Sequence, residues 1–170
     1  MDFDEELSHQ SEEVGSDELL SDDNLRLPEE ANPLVRLHAV RAWLKRRETE
    51  THIDMGNAAL TLQELQLSAG TAPLRRRAYQ EQMERLQSAQ NAFQRTQEYL
   101  ATYEEAEEML EDCVNHTTVG ERLLVEYYLQ IDELIQTSLQ ENNQAQTPRI
   151  EALLDVQSRI ERVGATYEED

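Results

Sequence analysis

The feature that most constrains the fold is a heptad pattern between residues 79 and 114. Neither glycine nor proline occurs in this stretch, so nothing in its composition interrupts a helix. Apolar and neutral side chains recur at steps of three and four, which places them along one side of a helix. The positions are Tyr79, Met83, Leu86, Gln90, Phe93, Gln97, Leu100, Tyr103, Ala106, Leu110 and Val114. The pattern predicts a long helix that packs against other helices.

Two positions of this predicted seam are polar, Gln90 and Gln97. Either the helix is rotated so that Ala89 and Thr96 take their places, or the seam loses stability in exchange for a defined register. Both alternatives predict that one helix packs on another.

The length of this helix adds a second constraint. A helix from residue 74 to 114 is roughly 60 Å long at ~1.5 Å per residue, whereas a compact domain of the remaining size is roughly 35 to 40 Å across. The helix must therefore extend beyond the domain, bend, or meet another chain. We expect an all-α fold, an elongated antiparallel helical bundle with coiled-coil character, and a homodimer as the assembly.

Other helices are indicated on both sides of the seam. Asn32 and Pro33 are typical of a helix start, and an apolar pattern continues to Leu67. Because Asp54, Gly56 and Asn57 weaken that pattern, residues 33–69 form one helix or two. Further helices are predicted from residue 121 and from Pro148. The residues expected to carry assembly are Leu86, Phe93, Leu100, Leu124, Tyr128, Ile131 and Ile135.

The first 32 residues have a different composition from the rest. They contain twelve acidic residues and one basic residue, a net charge of −11, which predicts a disordered acidic arm before the helical domain of residues 33–166 and an acidic tail at 167–170. The arm is either a solubilising tail or carries a short motif within residues 17–27 that folds onto a partner. Leu19 and Leu20 are the candidate partner-binding residues of that motif.

A basic segment follows the arm directly. Residues 33–47 carry five basic residues and no acid, a net charge of +5 in a chain of −21. Its bases either meet acidic faces of the same protein, or bind an anionic membrane, nucleic acid or an acidic protein partner. The candidate partner-binding residues are Arg36, Arg41, Trp43, Lys45, Arg46 and Arg47. The acidic arm is tethered close by, so we also hypothesise that it competes for these bases and inhibits their binding to anionic partners.

Several classes of chemistry are not supported by the residues present. Cys113 and His116 supply at most half of a zinc site, and the acids around Cys113 would raise the pKa of a nucleophilic thiol. We expect no catalytic residue, no metal and no cofactor. The overall charge disfavours general nucleic-acid binding, and no stretch has the roughly 18 to 20 apolar residues of a membrane span. With a single cysteine and an acidic start, a cytoplasmic setting is expected.

The sequence therefore predicts a non-enzymatic interaction protein, an adaptor, scaffold or assembly factor that acts through apolar helix faces and a basic helix. Two other functions remain open. One is a regulator that binds nucleic acid or anionic membrane through residues 36–47, and the other is an acidic mimic of nucleic acid that binds a basic protein.

Overall fold

The computed structural model describes residues 32–69, 75–117 and 120–163. These residues form four helices and no strand: α1 Pro33–Ala69, α2 Arg76–His116, α3 Glu121–Glu141 and α4 Pro148–Arg162. The all-α bundle is confirmed. The predicted acidic arm up to residue 31, with Leu19 and Leu20, and the tail at 167–170 lie outside the described residues.

Two helix starts follow the capping chemistry that the sequence indicates. The side chain of Asn32 accepts a hydrogen bond of 2.9 Å from the backbone N–H of Val35. The Thr147 hydroxyl accepts one of 3.3 Å from the N–H of Ile150, with Pro148 in the first helical position. Each side chain satisfies an N–H that has no partner within its own helix.

The region of residues 33–69 is one helix. Gly56 lies inside α1, and nothing is found within 4 Å of the position that a Cβ atom would take there. The weak helix formers at residues 54–57 therefore do not break the helix, because tertiary contacts on both sides outweigh their local preference.

Helices α1 and α2 run antiparallel. Arg41 contacts Glu111, and six residues later in α1 Arg47 contacts Tyr103, eight residues earlier in α2. At ~1.5 Å per residue, α1 and α2 are roughly 55 and 60 Å long, whereas α3 and α4 are roughly 30 and 22 Å long. The two shorter helices therefore cover only one end of the α1–α2 pair.

This covered end is a four-helix base with a continuous apolar core. The core residues are Leu37, Val40, Trp43 and Leu44 of α1, Tyr103, Ala106, Leu110 and Cys113 of α2, Leu123, Leu124, Tyr127, Ile131 and Ile135 of α3, and Leu153, Val156 and Ile160 of α4. The ion pair of Arg149 with Glu105 holds α4 to α2, with N–O distances of 2.5 and 3.0 Å. The same arginine lowers the pKa of Glu105 through these hydrogen bonds.

The other end is a two-helix projection, defined as residues 52–69 of α1 and 76–94 of α2. Among its described side chains Ala89 is the one that is buried. The long helix thus extends beyond the domain, which is the first of the three options that its length allows.

The inner seam of the projection is rotated from the predicted one. Ala89 is buried and Thr96 is half-buried, while Tyr79, Met83 and Gln97 are exposed. The rotated alternative is correct, because a small side chain at residue 89 lets α1 approach closely. Tyr79, Met83 and Gln97 are therefore not inner seam positions.

Candidate interaction site

The basic segment is integrated into the base. Trp43 is 2% exposed and meets the Tyr103 ring edge-on, with the ring centroids 6.1 Å apart. Leu37, Val40 and Leu44 are buried on the same side of α1. The apolar stripe of the segment is therefore part of the core.

Two of its bases lie at one edge of the α1–α2 interface. Arg41 makes hydrogen bonds of 2.7 and 2.6 Å to the two carboxylate oxygens of Glu111. Lys45, with 71% of its side chain exposed, is 3.7 Å from Glu107. Charge-assisted bidentate bonds are the stronger kind, so Arg41 is the firmer of the two links between α1 and α2.

Arg47 lies at the opposite edge. It donates to the Tyr103 hydroxyl at 3.0 Å, and that hydroxyl donates to Asp155 of α4 at 2.7 Å. Burial alone would lower the pKa of Arg47, but the bond to Tyr103 and the charge of Asp155 hold it above its ordinary value. Burial and the bond to Asp155 raise the pKa of Tyr103. This cluster joins three helices.

The predicted partner-binding residues therefore do not share one open surface. Arg46 is 3.8 Å from Glu50 on the next turn, and Arg36 is half-buried. The structure favours the alternative in which the bases meet acidic side chains of the same chain.

The predicted assembly residues fall into two groups. Leu100, Leu124, Ile131 and Ile135 are buried in the base. Tyr128 is half-buried there and donates a hydrogen bond of 2.8 Å to Glu161, and burial and this bond raise its pKa to about 12. Leu86 and Phe93 are half-buried in the projection. The seam is thus enclosed within one chain in the base and remains partly open in the projection.

An apolar stripe runs along the outside of α1 in the projection. Ile53, Leu60 and Leu67 follow each other at steps of seven residues, and their exposed fractions are 58%, 58% and 68%. Half-buried Ala58 and Leu62 lie on the side of α1 that faces α2, about half a turn away from this stripe. Helix α2 therefore leaves the stripe uncovered.

A second row of uncovered side chains lies on α2. Tyr79 and Met83 are 56% and 44% exposed, and half-buried Gln90 and exposed Gln97 follow Met83 toward the base at steps of seven residues. Between this row and α1 is an open groove of about 370 Å³, lined by Leu62, Gln87, Gln90, Phe93, Gln94 and Gln97. Helix α2 thus carries two neighbouring heptad rows, of which one is packed on α1 and one is open.

The row borders this groove, whereas the stripe lies further round α1, on its outer side. His52 of α1 contacts Glu104 of α2 at 3.6 Å. One heptad toward the tip from this contact are Ala59 on α1 and Gln97 on α2, so these residues lie on the same edge of the pair. Gly56 and Gln63 connect this edge to the stripe. We name the combined surface the open face, formed by Ile53, Gly56, Leu60, Gln63, Leu67, Tyr79, Met83, Gln90 and Gln97.

The charge of the projection differs from that of the whole chain. It contains three arginines and four carboxylates, a formal net charge of −1, compared with −21 for the full sequence. From Met55 to Ala69 the one charged residue is Glu64, and from Leu86 to Gln94 there is none. A neutral apolar surface on an acidic protein is suited to helix packing, because close approach there brings little charge repulsion.

Charged groups mark both ends of the open face. At the tip, Arg75, Arg76 and Arg77 are all exposed; we name them the arginine tip. At the base end, Glu48, Glu104, Glu107 and Glu108 form an acidic patch. Burial raises the pKa of Glu48 to about 8, and the neighbouring Glu107 and Glu104 add to this rise. Glu48 is therefore mostly protonated at neutral pH and adds little to the negative charge of the patch.

The residues considered for metal or thiol chemistry have structural partners. The Cys113 thiol is buried and lies 3.4 Å from the side-chain oxygen of Gln130, and burial raises its pKa. His116 Nδ1 is 2.7 Å from the backbone oxygen of Asp112. Within residues 32–69, 75–117 and 120–163 no cluster of three metal-ligating side chains is found. No helix in the same part of the chain has the length and apolarity that crossing a bilayer requires.

The sequence contained a signal for the open face that our predictions did not single out. Ile53, Leu60 and Leu67 were part of the apolar pattern of α1, but their strict spacing of seven separates them from Leu62 and Leu65, which face α2. Two apolar rows on one helix indicate two packing partners.

Comparison of the chain with protein-family models, curated proteins and solved structures gave no match.

Proposed function

We propose that this chain is a non-enzymatic interaction protein, an adaptor, scaffold or assembly factor, and that the open face of the projection is its principal binding surface. Its partners are helical protein surfaces, including other copies of the chain. The observation that carries the proposal is the exposed heptad stripe of Ile53, Leu60 and Leu67 on a nearly uncharged projection.

The spacing of the stripe supports a helical partner. Side chains at heptad spacing form a straight ridge that fits the groove of another helix. An extended strand or an irregular loop has no matching period. Exposed apolar patches of this kind are typical of interaction sites.

Binding of nucleic acid or anionic membrane through the basic segment is a weaker alternative. Arg41, Lys45 and Arg47 each contact a carboxylate of the same chain, so a phosphate would have to displace these contacts. Binding by acidic mimicry of nucleic acid draws support from the acidic patch, but the patch is small beside the open face. A cytoplasmic location remains a prediction from the single cysteine.

The proposal is tested by affinity capture from cells that express the protein. The test variant replaces the stripe with Ile53→Gln, Leu60→Gln and Leu67→Gln, which keeps helix-forming residues and removes the apolar surface. We expect the parent to retain partner proteins at about 0.5 M salt, where exposed charge contacts are screened, and the stripe variant to lose them.

Leu129→Gln with Leu154→Gln is the matched control, because these leucines are also exposed but lie on the base, at 43% and 39%. Circular dichroism checks that all three proteins are equally helical. If the stripe variant and the base variant both capture the same partners as the parent, the open face is not the binding surface and the proposal fails.

A further inference from the structure

The outer side of α1 is exposed from the start of the helix to its end. Val35, which is 42% exposed, lies 18 residues before Ile53. This separation is five full turns, so the two side chains point to the same side of α1. Ala42 and Thr49 continue the row from Val35 at steps of seven residues and are also exposed. An uncharged track therefore leads from the start of α1 to the stripe.

The segment that joins α1 at this point is the acidic arm, residues 1–31. Twelve residue steps separate Leu20 from Asn32, and they span up to ~40 Å when extended. Ile53 lies roughly 31 Å from Asn32 along α1. The arm is therefore long enough to bring Leu19 and Leu20 to the stripe.

The apolar residues of the arm repeat the spacing of the stripe. Leu7 and Val14 are seven residues apart, and Leu60 and Leu67 have the same separation. In a helical segment that runs antiparallel to α1, the two arm residues meet the two leucines of the stripe at the same time. This agreement in spacing fits the helical partner that the stripe requires.

The arginine tip lies just beyond this stretch of α1. The register that ion pairs set between α1 and α2 places Arg76 roughly 10 to 15 Å past Leu67 along the helix axis. Arg77 is 92% exposed, although it is 3.5 Å from Glu81. Successive residues of a helix point about 100° apart. The three arginines therefore spread around the end of the helix pair, where a chain that passes the end of α1 can reach them.

The arm carries acids at the matching position. Residues 2–6 include four acids and directly precede Leu7. These five residues span up to ~17 Å when extended, so they reach the arginine tip when Leu7 lies on Leu67. From Met55 to Ala69 the one charged residue of α1 is Glu64, so an acidic segment meets little like charge on the stripe itself.

Resting on the proposed function, we infer that the acidic arm binds along the stripe of its own chain, with residues 2–6 on the arginine tip, and competes there with partner proteins. The contacts are Leu7 with Leu67, Val14 with Leu60, and Leu19 and Leu20 with Ile53. A tethered segment has an effective concentration on the order of millimolar, so weak contacts hold it in place. A partner helix or a second copy displaces the arm only by binding more tightly.

A nitroxide label on the arm tests this contact in the full chain. Ser8→Cys places the label beside Leu7, and the native Cys113 is buried, so the label attaches to the new cysteine. Amide signals of residues 60–69 and 76–80 should lose about half of their height or more, because a tethered segment of this kind is bound about half of the time or more. Amides of residues 124–138, in the base, should keep theirs.

Three variants of the labelled protein locate the contact. The tip variant carries Arg75→Glu, Arg76→Glu and Arg77→Glu, and acids at this helix start are compatible with folding because they favour the helix dipole. The stripe variant carries the three glutamine substitutions defined above. Both should restore the amide signals, whereas the base variant with Leu129→Gln and Leu154→Gln should not. Circular dichroism checks that all of them are as helical as the parent.

Partner capture measures the consequence for function. The arm variant carries Leu7→Gln, Val14→Gln, Leu19→Gln and Leu20→Gln. It should bind the captured partners with an apparent Kd lower by about twofold or more, because the stripe is then available all of the time. The matched control is Leu25→Gln with Leu27→Gln, which changes leucines of the arm that only span the distance to the stripe and should leave the Kd unchanged.

Three outcomes would overturn the inference. The first is a labelled parent whose amides at 60–69 keep their full height. The second is an equal loss of height when the label is on one chain and the isotope on another, because the occupant would then be the arm of a second copy. The third is an arm variant that binds partners no more tightly than the parent.

These results are separate from the test of the proposed function. A parent without the effect of the label, whose capture of partners still depends on Ile53, Leu60 and Leu67, overturns the arm as the occupant and leaves the interaction surface in place. Loss of the proposed function requires that the stripe variant capture the same proteins as the parent.

Discussion

Glu48 shows how a single residue links the local structure to pH. This half-buried carboxyl lies on α1 near Glu104 and Glu107 of α2, with Lys45 one turn away on its own helix. Burial is the largest cause of the rise of its pKa to about 8, and the neighbouring acids add to it, whereas Lys45 opposes it. The folded chain therefore holds a proton here that the unfolded chain releases near its ordinary value of 4.5.

This difference predicts the direction of a pH effect. Between about pH 5 and pH 8 the folded state binds more protons than the unfolded state, so this group lowers the free energy of unfolding as the pH rises through that window. Glu48→Gln removes the titration. We expect the variant to gain stability over the parent by about 1 to 2 kcal/mol from pH 5 to pH 9, a figure reduced for solvent screening at a half-buried site.

Urea unfolding at both pH values measures the gain. Glu133→Gln, at an exposed position in α3, is the control and should shift stability by the same small amount at each pH. A difference between Glu48→Gln and the parent that stays constant or shrinks with rising pH contradicts this assignment of the proton.

At the residue scale, the sequence indicated which side chains form ion pairs better than it indicated their partners. It identified the bases of residues 36–47 and included their pairing with acids of the same chain as one alternative. It did not single out Asp155, whose bond to the Tyr103 hydroxyl brings α4 to Arg47. That contact joins residues 52 positions apart, and neither local spacing nor charge pattern encodes which acid of a distant helix reaches a given base.

At the element scale, helix type and helix ends were predictable, because they depend on local chemistry. Asn32 caps α1 as expected, and α4 begins at the predicted Pro148, with Thr147 as its cap. The rotation of α2 was left open between two alternatives, since its two heptad rows have similar apolar content. The structure selects the row with Ala89, where a small side chain permits close contact with α1. Competition between rows is decided by the shape of the neighbouring helix, which a single segment does not contain.

Gly56 tests how much local preference matters within α1. The helix continues through it, and the space around its missing Cβ atom is empty. Gly56→Ala should therefore raise the free energy of unfolding of the dilute protein by about 0.5 to 1 kcal/mol, because alanine restricts the unfolded chain and meets no obstacle in the folded one.

Thermal or urea unfolding at low micromolar concentration checks this value. Ala42→Gly, an exposed position on the same helix, is the reverse control and should lower stability by a similar amount. Destabilisation by Gly56→Ala would show that another surface occupies the space beside residue 56 in the dilute protein, contrary to the structure.

At the scale of the whole molecule, stability is unevenly distributed. The base buries side chains from four helices around Tyr103, Tyr127 and Ile131. The projection has two helices and, among its described side chains, one buried residue, Ala89. Local opening needs less free energy where few side chains are buried. The projection should therefore open without the base, and its helices should depend on whatever covers the open face.

Hydrogen exchange at two protein concentrations tests both parts of this expectation. In dilute protein, amides at 57–68 and 80–92 should exchange about tenfold or more faster than amides at 103–113 and 124–138, because the projection opens locally. In concentrated protein a second copy on the open face should slow exchange in the projection and leave the base unchanged, since pairing stabilises only the segments that it orders.

The base amides act as an internal control in this experiment, because their exchange reports on global unfolding at either concentration. Protection of the projection equal to that of the base in dilute protein would mean that α1 and α2 stabilise each other without a partner. The apolar stripe would then be tolerated in water, and exposure of Ile53, Leu60 and Leu67 would no longer argue for an occupant. Protection that rises with concentration would instead mean that a second copy covers the projection.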